Sequence, residues 1–143
     1  MAVLALAPAH AKDGAAPPDA GALDTVWWNR PKFVAALGLD EAQRKRMDEH
    51  LAPKLAALRK LRAALEKQEK ALLDALVKRD WTAARREAAA DAETRATLRR
   101  VEAGVKVDVF SELTQKQVET VAAKHSGLVT RPWLMSGLST ERD

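Results

Sequence analysis

Three histidines are where hydrolytic or metal chemistry would first be sought: His10, His50 and His125. None has a Ser or Asp beside it in a recognisable nucleophile motif. His125 falls at the end of a helical pattern, a position the helix dipole favours for histidine. Met47, Glu49 and His50 together offer one soft ligand and one or two harder ones. A metal site needs three or four convergent ligands, and no second histidine lies within a turn of His50. Met47 and His50 are therefore only weak candidates for a metal, and no cofactor is expected. The six glycines are scattered and none follows a strand, which excludes a phosphate cradle. With no cysteine in the chain, disulfides and thiolate metal sites are excluded as well. No catalytic residue is expected, and the chain reads as a protein without an enzyme active site.

The cationic residues are the stronger functional clue. Arg59, Lys60, Arg62, Lys67 and Lys70 lie on one long helical segment; Arg85, Arg86, Arg95, Arg99, Arg100 and Lys106 lie on the next. The formal net charge is +4, yet Asp and Glu are interleaved with Lys and Arg throughout. Pairs such as Glu66–Lys70 suit ordinary helix solvation. No run of Lys and Arg marks a nucleic-acid arm, so no nucleic-acid partner is expected. Cations placed beside exposed apolar groups can hold unfolded or acidic chains by mixed contacts. Arg59, Arg62, Arg95 and Arg99 are the residues expected to face such a client.

These residues must be positioned by helices. Ala supplies much of the 47% hydrophobic content, aromatics reach only 4%, and 31% of residues are charged. That composition belongs to long helices or coiled coils rather than to a thick globular core. Residues 1–11 read as the end of a truncated secretory signal, with Ala9-His10-Ala11 fitting a small-x-small cleavage site. Residues 12–25 hold two Pro and two Gly without periodicity and read as a disordered linker, so order is expected to begin near Val26. No segment has the ~20 apolar residues of a membrane span.

Residues 26–125 form the expected helical domain. Pro31 suits the first position of a short helix carrying Phe33, Val34 and Leu37, and Gly38 is placed to end it. Asp40 is the expected N-cap of the next helix, with Gln43 returning a hydrogen bond to complete a capping box. Met47, Leu51, Leu55, Leu58, Leu61, Leu65, Leu72 and Leu76 then form an apolar stripe at three- and four-residue steps. Pro53 should kink this helix without ending it. Residues 40–79 would span roughly 60 Å, too long for a compact globule. Asp80 should cap the return helix, residues 82–112, and Trp81 should pack across the turn. Ala84, Ala88, Ala92 and Ala96 are the expected seam of its first half; Leu98, Val101, Val105 and Val109 line the second. Gly104 weakens this helix by up to ~1 kcal/mol. Thr114 and Gln117 repeat the capping box after Leu113, which should staple onto Val118. Residues 126–143 read as an irregular tail, with Trp133 and Leu134 docked on the helices.

Two boxes of one form therefore bracket the hairpin: Leu39-Asp40-Glu41-Ala42-Gln43 and Leu113-Thr114-Gln115-Lys116-Gln117. Together with the export signal they resemble the Spy/CpxP family, whose members carry paired L-T-x-x-Q motifs. The preceding WWNRPKFVAALGL looks like the opening of related heavy-metal-sensor-like periplasmic proteins. Leu39, Asp40, Gln43, Leu113, Thr114 and Gln117 match the motif by position, with Asp40 in place of the usual Thr. The resemblance implies an all-α fold, a long antiparallel hairpin with short flanking helices that pairs into a cradle-like homodimer. It implies a periplasmic, ATP-independent chaperone that binds partly unfolded envelope proteins during envelope stress. The alternative it implies is a regulatory adaptor or metal-responsive sensor subunit with a signalling partner. The His-rich and Cys-rich segments of metal-responsive relatives have no counterpart here.

Overall fold

The computed structural model describes residue 23 and residues 25–131. The expectations for the signal, for most of the linker, and for Trp133 and Leu134 lie outside those residues. The described chain is all-α, as composition and periodicity require. A 3-10 turn at Trp27–Asn29 leads into α1 (Pro31–Leu37) and α2 (Glu41–Leu51). A second 3-10 turn, Ala52–Lys54, joins α2 to α3 (Leu55–Val77). The return helix α4 (Trp81–Phe110), then α5 (Gln115–Lys124) and a single turn α6 (Gly127–Thr130), complete the order. No helix among the described residues is long and apolar enough to cross a membrane.

Local chemistry explains each boundary. Pro31 occupies the first turn of α1, and Gly38 ends that helix in the left-handed region at φ 66°. Asp40 caps α2 and Asp80 caps α4, each accepting a hydrogen bond from the backbone N–H three residues on. Thr114 and Gln117 form a complete capping box on α5. Pro53 has no N–H to give to an α-helical ladder, and the chain answers with the 3-10 turn at Ala52–Lys54. The apolar phase survives this distortion, because Leu51 and Leu55 are both fully buried on either side of it.

α3 and α4 pair along the hairpin, while α2 packs against the far end of α4. The core sits at this base. Trp28, Met47, Leu51, Leu55, Leu58, Val105, Val109 and Val121 are its fully enclosed members. Each large apolar side chain contributes about 1.5–3 kcal/mol by leaving water. Trp27 is the aromatic centre, stacked on Phe110 and edge-on to Trp28 and Phe33. Phe33 in turn meets the His125 ring edge-on at 5.4 Å, so that histidine closes the base as well as ending α5.

Three expected contacts are corrected towards the tip. The Ala row of α4 is not the seam: Ala84 is buried, but Ala88, Ala92 and Ala96 face outward. The inward positions are Ala84, Glu87, Asp91, Thr94, Leu98, Glu102, Val105 and Val109, all buried or half-buried. A strict four-residue step drifts about 40° per repeat on a helix, so three steps carry it off the contact line. Trp81 is the second correction. It is 50% exposed and meets the Arg79 guanidinium at 5.9 Å instead of packing across the turn. On α3 the stripe likewise ends early: Ala75 is the buried residue, and Leu76 is exposed.

The turn itself is a Schellman motif without glycine. Arg79 adopts φ 59°, its N–H donates to the Leu76 carbonyl at 3.1 Å, and the Asp80 N–H donates to the Ala75 carbonyl at 2.9 Å.

Candidate functional site

The two boxes meet in space. Asp40 holds the start of α2 and Thr114 the start of α5, which brings Gln43 and Gln117 face to face beneath the Trp-lined base. Gln43 is buried, and its Nε2 donates to the Glu112 backbone carbonyl at 2.8 Å and to Gln117 Oε1 at 2.6 Å. Gln117 Nε2 donates to the Leu37 carbonyl at 2.9 Å, and its Oε1 also accepts from the Thr114 N–H at 2.9 Å. The second amide contact, Gln117 Nε2 to Gln43 Oε1, is 3.3 Å. Leu39 and Leu113, the first residues of the boxes, are buried beside this network.

This corrects the expected role of Gln43. Its backbone N–H does meet the Asp40 cap at 2.7 Å, but its side chain reaches across the fold instead of back to that cap. One amide pair thereby ties the end of α1, the start of α2, the end of α4 and the start of α5. Carboxamides exchange no protons in the physiological range, so the arrangement fixes geometry rather than activating a nucleophile.

Glu112 adds a charged layer outside the amides. Its Oε2 lies 2.8 Å from Arg46 Nε and its Oε1 lies 2.9 Å from His50 Nε2. The hydrogen bond from His50, then that from Arg46, holds the Glu112 carboxyl below the usual carboxylate range. His50 is therefore engaged at the base. The Met47 thioether is enclosed in the core and unavailable as a soft ligand. Among the described residues no group of three or more His, Cys, Asp or Glu is placed to hold a metal.

The four candidate client-facing arginines occupy different settings. Arg59 and Arg99 are exposed, and Arg62 and Arg95 are half-buried. Arg95 bridges the hairpin: its Nε donates to Asp91 at 2.7 Å and its Nη2 meets Glu69 on α3. Asp91 foremost, and then Glu69, raise its pKa. Arg95 is thus a staple between the two arms. Alongside Arg99, α4 presents an outward stripe of Arg85, Ala88, Ala92, Ala96, Arg99, Ala103 and Val107, all exposed. It holds two cations, five apolar residues and no carboxylate.

Sequence reasoning missed two anchors. Asp48 Oδ1 accepts from the Trp28 indole at 2.8 Å and from the Asn29 amide at 2.9 Å, fixing the Trp-bearing turn onto α2. A Trp that is to be buried needs an acceptor for its N–H, but nothing in the chain singles out a residue 20 positions away. Lys106 donates to the carbonyls of Val129 at 2.9 Å and Arg131 at 3.3 Å, which latches the turn α6 to α4.

No family model, no curated protein and no solved structure matches the chain.

Proposed function

We propose that this chain is a periplasmic, ATP-independent chaperone-like protein of the Spy/CpxP kind. In this reading it holds partly unfolded envelope proteins and pairs with a second copy to form a cradle, and it carries no enzyme active site. The observation that carries the reading is the outward stripe on α4. Ala88, Ala92, Ala96, Ala103 and Val107 are left in water on the helix that also supplies the hairpin's inner seam. Arg85 and Arg99 share that line, and no Asp or Glu interrupts it.

The physics suits holding without tight binding. Alanine side chains remove little apolar area from water on contact, and burial contributes roughly 25 cal/mol per Å². Each contact is therefore weak and reversible, and release needs no nucleotide. Arginines beside the stripe accelerate capture of chains carrying acidic groups. The Gln43–Gln117 network keeps the base rigid while the surface stays adaptable. The paired motif, the hairpin and the Trp-rich opening together support the family reading.

The test is aggregation of a denatured client monitored by light scattering. Suppression by the wild-type chain is expected. Loss of suppression is expected when carboxylates are placed in the stripe, as in Ala92→Glu with Ala96→Glu. Both positions are exposed and glutamate is a good helix former, so folding is retained. Absence of suppression with the wild-type protein in excess would end the reading.

A further inference from the structure

We propose that the hairpin tip is a docking site for an anionic lipid surface. Four large apolar side chains lie open there: Leu73 is 61% exposed, Leu76 44%, Val77 74% and Trp81 50%. Leu73, Leu76 and Val77 share one face of the last turns of α3, opposite the buried Ala75. Together with Trp81 they expose on the order of 400 Å², the size of patch that in a monomer is often functional.

The charges around the patch select its occupant. Lys70, Lys78, Arg79 and Arg85 surround it and are all exposed. Of the nearby acids, Asp80 is engaged as the N-cap of α4 and Asp74 is exposed beside Leu73, and the four cations outnumber them. The Arg79 guanidinium lies over the Trp81 ring, so the cation and the indole share one level. Trp at an interface, aliphatic side chains beyond it and Lys or Arg beside it is the arrangement that headgroup regions favour. Each basic residue close to an anionic leaflet adds roughly fivefold to partitioning.

Shape separates lipid from protein as the occupant. The groove beside the tip, about 230 Å³, is lined by Ala71, Ala75, Ala83 and charged residues, and it includes none of the four exposed apolar side chains. Those residues lie at the turn end of the hairpin, outside that groove, and a fluid headgroup layer needs no preformed pocket to receive them. Docking at this end leaves the base core around Leu55 and Leu58, roughly 30 Å away along α3, undisturbed. It requires no membrane span.

The experiment is co-sedimentation of the full chain with vesicles of phosphatidylcholine alone, or with phosphatidylglycerol added. Pelleting with the anionic vesicles only, reversed by high salt, is the expected result. Leu73→Ser with Val77→Ser, and separately Lys78→Glu with Arg79→Glu, should each lower partitioning more than ~10-fold with the helical circular-dichroism signal unchanged. No pelleting at low salt would overturn the proposal, and so would pelleting that both double variants retain. Loss of client holding in these variants without any vesicle binding would assign the tip to a protein instead. Arg85 borders both the tip and the α4 stripe, but the tip variants at Leu73, Val77, Lys78 and Arg79 and the stripe variants at Ala92 and Ala96 share no residue, so the vesicle and aggregation assays fail independently.

Discussion

Replacing Gln43 by alanine tests whether the two boxes act as one joint. The side chain donates two hydrogen bonds from a buried position, at 2.8 Å to the Glu112 carbonyl and at 2.6 Å to Gln117 Oε1. Two such bonds contribute about 2 kcal/mol, and the Glu112 carbonyl left dry adds a further ~1 kcal/mol or more. A loss of about 3 kcal/mol in a chain of this size corresponds to a fall in Tm of about 10 °C or more. Urea melts followed by circular dichroism measure the first quantity and thermal melts the second. The decisive version is the double-mutant cycle with Gln117→Ala. Because each amide orients the other, the double variant should lose at least ~1 kcal/mol less than the sum of the singles. Effects that add within ~0.5 kcal/mol would show two independent caps, and the reasoning would be refuted. Gln43→Glu sharpens the point. A carboxylate there has no proton to donate and faces both the Glu112 carbonyl and Gln117 Oε1, so this variant should be at least as destabilised at neutral pH and recover partly in acid.

Three further outcomes follow from the same structure. Arg79→Gly should stabilise the fold by about 0.5–1 kcal/mol in urea melts, because glycine adopts φ 59° without the strain a side chain suffers there; an unchanged midpoint would contradict the Schellman assignment. The ion pairs of Glu112 should appear in the pH dependence of stability: its folded pKa is lowered, so the stabilisation is present above the ordinary value near 4.5 and is lost as pH falls through the lowered folded value. In Glu112→Gln that acid-side decline should flatten when denaturation midpoints are compared across the acid range. Asp48→Ala should cost about 2 kcal/mol and shift the tryptophan emission to the red, since the buried Trp28 indole loses its acceptor and the turn at Trp27–Asn29 loosens from α2.

The sequence made the helices legible where a single residue type carries a local physical duty. Gly38, Asp40, Asp80 and Thr114 could be assigned because a left-handed cap or an N-cap needs partners only three or four residues away. The leucine stripe of α3 was legible because Leu, Lys and Arg contrast strongly around its circumference. α4 offered no such contrast. Alanine occurs on every side of it, and the inward line runs through Glu87, Asp91, Thr94 and Glu102, polar residues that sequence reading assigns to solvent. The Gln43–Gln117 contact spans 74 residues, and the local capping box offers Gln43 an equally good partner on paper. Only the packing of α1 and α5 against each other decides between them. Arg95 shows the same limit: its spacing to Asp91 predicts one of its ion pairs, while its link to Glu69 depends on the register of the hairpin.

The exposed apolar residues at the tip are not core that failed to find its place. The phase of α3 is set by Leu55, Leu58 and Leu65, all buried, and that phase puts Ala75 in the seam near the turn. Turning the helix to bury Leu73 and Val77 would drive the Leu55–Leu65 line into water and lose several large side chains from the base, each worth about 1.5–3 kcal/mol. The chain therefore places its small residues inward at the tip, where Ala75 and Ala84 are both buried, and its large ones outward. Substituting serine for Leu73 or Val77 should change stability by less than about 0.5 kcal/mol, as for surface positions generally. Leu and Val at these positions therefore contribute little to the fold itself and are open to a contact outside it, which the vesicle assay reads without interference from folding.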